Sequence, residues 1–290
     1  MVEELELQTP WLRLAARAWG PSGGLPVLAV HGWLDNAASF DVLAPLLPGM
    51  RLVAVDLTGH GRSGHRPFGA HYHFVDFIPD MVAAADALGW DRFAVLGHSM
   101  GGGIASFMAA ILPERITRVA MIEGLGPPTS NPADGPADLL KSMKQMNALP
   151  HKRPPIYPNV DAAIQARCEA SGLSWSAATI LVERGLQPVG DGYGWRTDPR
   201  LRFVSPLYLS EPQILAYMER IQVPALLICG ADGYLVKRAY MQERYARITD
   251  LTVKILPGGH HLHLEDPEPC ASLLAPFLEF SPNHHHLLGK

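Results

Sequence analysis

The chain has 290 residues, enough for one α/β domain with an inserted segment or for two smaller domains. With 48% hydrophobic and 18% charged residues it is too apolar to be a disordered chain. A formal charge of −4 without any basic run argues against a nucleic-acid partner.

Residues 5–19 alternate apolar and polar and predict a pair of strands. Pro26-Val27-Leu28-Ala29-Val30 is a short unbroken apolar run, the pattern of a strand buried on both faces. His31-Gly32-Trp33 follows it, and Asp35 and Asn36 are placed to cap a helical stretch over 36–47. Residues 51–55 predict a second buried strand. A helix over 74–88 should stop at Gly89 in a left-handed cap. A strand over 92–96, a helix over 100–111 and a strand over 119–122 come next. Strands at 225–229 and 252–256 flank a helix near 237–247, and a last helix covers about 267–280. Strands alternating with helices imply a parallel sheet with right-handed crossovers.

One long stretch interrupts the alternation. From Gly124 to about Tyr217 no buried strand is evident, and residues 138–149 and 160–187 read as helical. The expected organisation is a core of residues 1–124 and 216–280, a helical cap over 125–215, and a flexible tail over 281–290 that carries His284, His285 and His286.

Gly97-His98-Ser99-Met100-Gly101 fits G-x-S-x-G between a predicted strand and a predicted helix. A tight turn there exposes the Ser99 hydroxyl, and the helix N-terminus sets the Met100 N–H beside a developing oxyanion. The loop after the strand 26–30 is placed to supply a second donor, the N–H of Trp33. His31 is read as a structural hydrogen-bonder. After the final strand, Gly258-Gly259-His260-His261-Leu262-His263 offers three histidines as the base. His260, directly after the glycines, leads; His261 is the runner-up and His263 reads as structural. The H-H-x-H run has donors suited to zinc, but a zinc site needs a further ligand, and it would leave the serine elbow unexplained.

The elbow, the His-Gly-Trp loop, Asp56-Leu-Thr-Gly-His-Gly-Arg-Ser63 and the late Gly-His loop together resemble the α/β-hydrolase superfamily. His31-Gly-Trp-Leu-Asp-Asn-Ala-Ala-Ser-Phe40 more narrowly resembles its serine hydrolase-like protein subfamily. The resemblance covers residues 10–280 and is weakest in the cap. It implies a doubly wound, mostly parallel sheet of about eight strands under a helical cap, and a serine hydrolase whose base is His260. Dehalogenases and epoxide hydrolases of this fold use an aspartate nucleophile, whereas position 99 is serine. The third member of the triad departs from the pattern. The family slot lies three residues after the glycine ending the strand 225–229, and counted from Gly230 that slot is Gly233. Asp232, one residue early, is one candidate; Glu123, after the strand before the cap, is the other. Glu123 is slightly favoured because the resembling subfamily tends to carry an acid there.

The expected activity is cleavage of small carboxylic esters through a Ser99–His260–acid triad, with Glu123 or Asp232 as the acid and Trp33 and Met100 as oxyanion donors. The same triad could serve a thioesterase, a lactonase or a C–C hydrolase, and the fold also hosts low-turnover ligand-binding proteins. The expected partner is a small-molecule ester, with no membrane partner, cofactor or metal. An acidic N-terminus, no apolar run of ~18 residues and three scattered cysteines, Cys168, Cys229 and Cys270, point to the cytoplasm.

Overall fold

A computed structural model describes residues 2–279; the tail from 280 onward, including His284–His286, lies outside the described residues. Strands β1 (Glu3–Gln8), β2 (Arg13–Trp19), β3 (Leu25–Val30) and β4 (Met50–Val55) precede helix α1 (Phe77–Ala87). Then come β5 (Phe93–His98), α2 (Met100–Ile111) and β6 (Ile116–Ile122). After β6 the chain leaves the sheet for α3 (Gly135–Ala148), α4 (Val160–Ser171), α5 (Trp175–Gly185), a hairpin of β7 (Leu186–Val189) and β8 (Gly192–Trp195), and α6 (Glu211–Met218). It returns through β9 (Ala225–Gly230), α7 (Met241–Ala246), β10 (Leu251–Leu256), the single turn α8 (Leu262–Glu265) and α9 (Pro267–Glu279).

The eight-stranded sheet has the order β1-β2-β4-β3-β5-β6-β9-β10. Only β2 runs against the rest, pairing antiparallel with β1 and β4. The central strands are predominantly apolar because helices cover both faces. One face packs on α1, α2 and α6 through Met81, Ile104, Phe107 and Met218, the other on α9 and the Phe40–Leu47 segment. The register aligns Val30, Gly97, Met121 and Leu227 across β3, β5, β6 and β9, so their carboxyl ends open on one edge. In parallel α/β sheets that edge holds the ligand site.

Several predicted elements change character for local reasons. The stretch 36–47 forms two short 3₁₀ turns, Ala37–Phe40 and Ala44–Leu46, because Pro45 cannot donate inside an α-helix. α1 begins only at Phe77, which keeps Pro79 in its first turn. The helical run expected over 160–187 divides at Gly172, which takes φ +66 as a left-handed cap. The β7–β8 hairpin was not foreseen: its strands have four residues each, and Pro188, Gly192 and Gly194 carry little strand propensity. The boundary expected at residue 215/216 falls inside α6, whose Ile214 and Met218 belong to the main core.

Ion pairs of the buried Arg184 fasten the segment between β6 and β9 to the sheet. Arg184 of α5 donates from Nε to both oxygens of Asp56, at 3.0 Å each, and from Nη1 to both oxygens of Glu4. Asp56 also accepts the N–H groups of Ala37 and Arg62, so both of its carboxylate oxygens are bonded. Trp33 donates from its indole to the carbonyl of Leu201 at 2.9 Å, tying the loop after β3 to the same segment.

Candidate active site

Ser99 stands between β5 and α2 with φ +53, a region that L-residues rarely adopt. Two glycines make the turn sterically feasible. A Cβ at position 97 would lie 2.2 Å from the carbonyl oxygen of Gly101, and one at position 101 would lie 2.0 Å from that of Val30. Met100 is the first residue of α2 and its N–H has no acceptor four residues back.

His260 Nε2 lies 2.9 Å from Ser99 Oγ, and its Nδ1 lies 3.2 Å from Glu123 Oε2. The structure thus brings Ser99, His260 and Glu123 into one hydrogen-bonded line. Glu123 directly follows β6 at φ +50, and its carboxylate also accepts the N–H groups of Gly230 and Tyr234 at 2.8 Å each. Burial pushes the Glu123 carboxyl up, but the bond with His260 and the two backbone donors outweigh it and leave it below its ordinary value.

Asp232 is not brought to His260. It is exposed, and its recorded bonds are backbone ones: its N–H donates to Gly258 and its carbonyl accepts from Lys237. The reason the family slot holds glycine is visible beside it. A Cβ at position 233 would fall 2.2 Å from Glu123 Oε1, so the glutamate carboxylate occupies the space that a side chain there would need. Gly233→Ala is therefore expected to displace Glu123 and destabilise the fold by ~1–3 kcal/mol. Urea denaturation together with the turnover number would check this, and an unperturbed variant would show that the carboxylate does not fill that space.

The loop after β3 is set by His31. Leu57 N–H donates to its Nε2, so the proton sits on Nδ1, which donates to the carbonyl of Gly32 at 2.7 Å. Fixing that carbonyl fixes the trans peptide, and the Trp33 N–H points the opposite way. Burial lowers the His31 pKa and keeps the ring neutral in this role. Among the described residues, neither the Trp33 nor the Met100 N–H has a recorded acceptor.

His261 and His263 do not reach Ser99. His261 Nε2 faces Asp35 at 3.5 Å, and His263 Nε2 bonds Ser39 Oγ at 2.8 Å in full burial. Asn36 caps the following turn as expected, whereas Asp35 turns inward to Arg167, His98 and His261. Two neighbours of the site were missed by sequence reasoning. Tyr234 supplies a backbone donor to Glu123 and sets its ring 4.3 Å from that of His260. His98, the variable residue of the elbow, bonds the backbone of the His260 loop. An acid slot held by glycine was the one available signal for a differently seated acid.

Between β6 and β9, Tyr193 and Trp195 pack on the small core of α4 and α5 and Met218 joins the main core, while Trp175 is exposed. No helix among the described residues is long and apolar enough to cross a membrane.

The family described as alpha/beta hydrolase fold matches residues 26–267. The chain is 33% identical to a serine hydrolase-like protein of Danio rerio over 288 residues, covering 95% of this chain and 88% of that protein. It is 32% identical to serine hydrolase-like protein 2 of Homo sapiens, covering 96% and 95%. Among solved structures, a hypothetical protein of Pseudomonas aeruginosa PAO1 is similar at 43% identity and TM-score 0.89, covering 95% of this chain and 97% of that one. The thioesterase domain from the curacin biosynthetic pathway is similar at 27% identity and TM-score 0.85, covering 94% and 99%.

Proposed function

The chain belongs to the α/β-hydrolase fold family, among its serine hydrolase-like members, and from that premise we propose that it cleaves small, uncharged carboxylic esters through an acyl-enzyme. The observation that carries the reading is His260, within hydrogen-bond reach of Ser99 on one side and Glu123 on the other. His260 Nε2 takes the Ser99 proton as Oγ attacks the carbonyl carbon. The N–H groups of Trp33 and Met100 receive the oxyanion, where the N-terminus of α2 adds a favourable dipole. His260 returns the proton to the leaving alcohol. It then takes a proton from the water that releases the acid and regenerates Ser99. Glu123 holds the imidazole in the tautomer with its proton on Nδ1.

The segment between β6 and β9 acts in this reading as the cap. Trp33 bonds Leu201, and Gln145 of α3 accepts the Val204 N–H, so a chain of contacts links α3 to the oxyanion loop. α3 exposes Leu139, Leu140 and Met143, which favours apolar acyl groups over charged ones. The likeness to a thioesterase domain at 27% identity supports thioesters as the second reading.

A fluorophosphonate probe is expected to label Ser99. A series of esters and thioesters of rising acyl length should show turnover that peaks at short to medium chains, at a rate unchanged by dialysis against a chelator. Labelling without turnover of any small ester would sink the ester reading, and so would a preference for emulsified long-chain lipid.

A further inference from the structure

Beside the serine, three side chains that the proposed mechanism does not use converge from three loops. Asp35 comes from the loop after β3, His98 from the end of β5 and His261 from the loop after β10. Asp35 Oδ2 lies 3.6 Å from His98 Nδ1 and 3.5 Å from His261 Nε2, and all three atoms lie within 4.8 Å of one another. With zinc–ligand bonds of ~2.0–2.1 Å, the edge of a tetrahedral site is about 3.4 Å, so two of the three edges are already close to that spacing. From this geometry we propose that Asp35, His98 and His261 form a binding site for a divalent transition metal of the zinc class.

The protonation pattern around His98 supports it. Nε2 of His98 lies 2.9 Å from the carbonyl oxygen of His260. A carbonyl can only accept, so that nitrogen carries the proton and Nδ1 presents a lone pair. His98 is fully buried, and Nδ1 has no hydrogen-bond partner. It therefore aims its lone pair at a carboxylate 3.6 Å away, beyond hydrogen-bonding distance. Two facing lone-pair donors in full burial repel one another unless a proton or a metal cation lies between them. The surroundings also resemble the outer shell of a metal centre. A backbone carbonyl fixes the tautomer of His98, and Arg167 holds the other Asp35 oxygen, Oδ1. A Cβ at position 32 would sit 3.0 Å from both Asp35 Oδ2 and His98 Nδ1, so Gly32 leaves this space open.

Two imidazole nitrogens and one carboxylate oxygen match a zinc set that keeps one position for water. Sequence reasoning set aside zinc at the histidine run for want of a further ligand. The fold supplies two, from positions 35 and 98, and uses His261 alone of that run. An ion here would tie together the loops that carry the Trp33 N–H, Ser99 and His260. It would strengthen the frame of the site without entering the chemistry.

The test uses full-length protein with His284→Ala, His285→Ala and His286→Ala, so that the tail histidines do not compete. After chelator stripping and dialysis, Zn²⁺ is titrated by calorimetry and the unfolding midpoint is followed with and without it. One equivalent bound per chain and a raised midpoint are expected. In the same background, His261→Gln should weaken Zn²⁺ binding by about 10-fold or more and remove the rise in midpoint. Absence of binding in the parent overturns the proposal, as does binding that His261→Gln leaves unchanged. Should His261→Gln fail to fold, Co²⁺ added to the parent decides the matter. The strong visible bands of a four-coordinate ion support the site, and the weak bands of a six-coordinate ion overturn it.

Discussion

Ser99→Ala is expected to lower ester turnover by about 10³-fold or more, with the fold intact. The side-chain hydrogen bond recorded for Ser99 is the one to His260, so the change removes the attacking oxygen and one contact. The backbone strain at φ +53 stays, because alanine pays the same cost there as serine. Stability should therefore change by less than about 1 kcal/mol. His260→Ala should lose a similar factor, since nucleophile and base act as a unit and their losses do not add. His261→Ala should keep far more of the rate, because its ring faces Asp35 and not Ser99. The measurement is kcat/KM on one small ester, alongside urea denaturation of each variant. Near wild-type turnover in Ser99→Ala would remove the acyl-enzyme mechanism. An inactive His261→Ala beside an active His260→Ala would reassign the base.

Glu123→Gln and Asp232→Asn should separate sharply. The Glu123 carboxylate accepts from three donors at once: His260 Nδ1, Gly230 N–H and Tyr234 N–H. A glutamine has one acceptor oxygen and one NH₂ group. Either a backbone N–H then meets a donor, or the NH₂ faces His260 and favours the tautomer that cannot accept the serine proton. A loss on the order of 10³–10⁴ in kcat is expected. Asp232→Asn leaves both recorded backbone bonds in place and should stay near wild type. Equal, small losses from both would mean that neither carboxylate orients the base.

Glu123 also links stability to pH. Its folded carboxyl lies below its ordinary value of 4.5, so the folded state favours the ionised form. That contribution is fully present above the unfolded value and is lost as pH falls through the lower folded value. Unfolding midpoints of the wild type should therefore fall below about pH 4.5 more steeply than those of Glu123→Gln.

The parts of the site that lie within a few residues of one another were legible in the sequence. Gly97, Ser99 and Gly101 encode the elbow because close backbone contacts at 97 and 101 admit no side chain, and that constraint is local. The apolar runs of β3, β4 and β5 and the periodicity of α2 fixed the layered architecture, because strand and helix periods follow from backbone geometry alone. The β7–β8 hairpin was hidden by its short, glycine-rich strands, whose residues carry neither period clearly.

Tertiary structure decided what depends on distance across the sheet. Glu123 meets Gly230 across 107 residues of chain and His260 across 137. That meeting follows from β6 lying between β5 and β9. No local pattern records strand order, so Glu123 and Asp232 stayed nearly level as candidate acids until the sheet placed Glu123 beside His260. The histidine run was ambiguous for a related reason. His260, His261 and His263 are near neighbours in the chain, yet they point to Ser99, Asp35 and Ser39. The turn after β10 sets these directions, and composition carries no trace of it. The grouping of Asp35, His98 and His261 arises in the same way, from three strand ends opening on one edge. The sequence by itself determined which chemical groups were available and how each local turn is built; strand order and loop direction determined which of those groups meet, because only the folded sheet fixes distances between residues far apart in the chain.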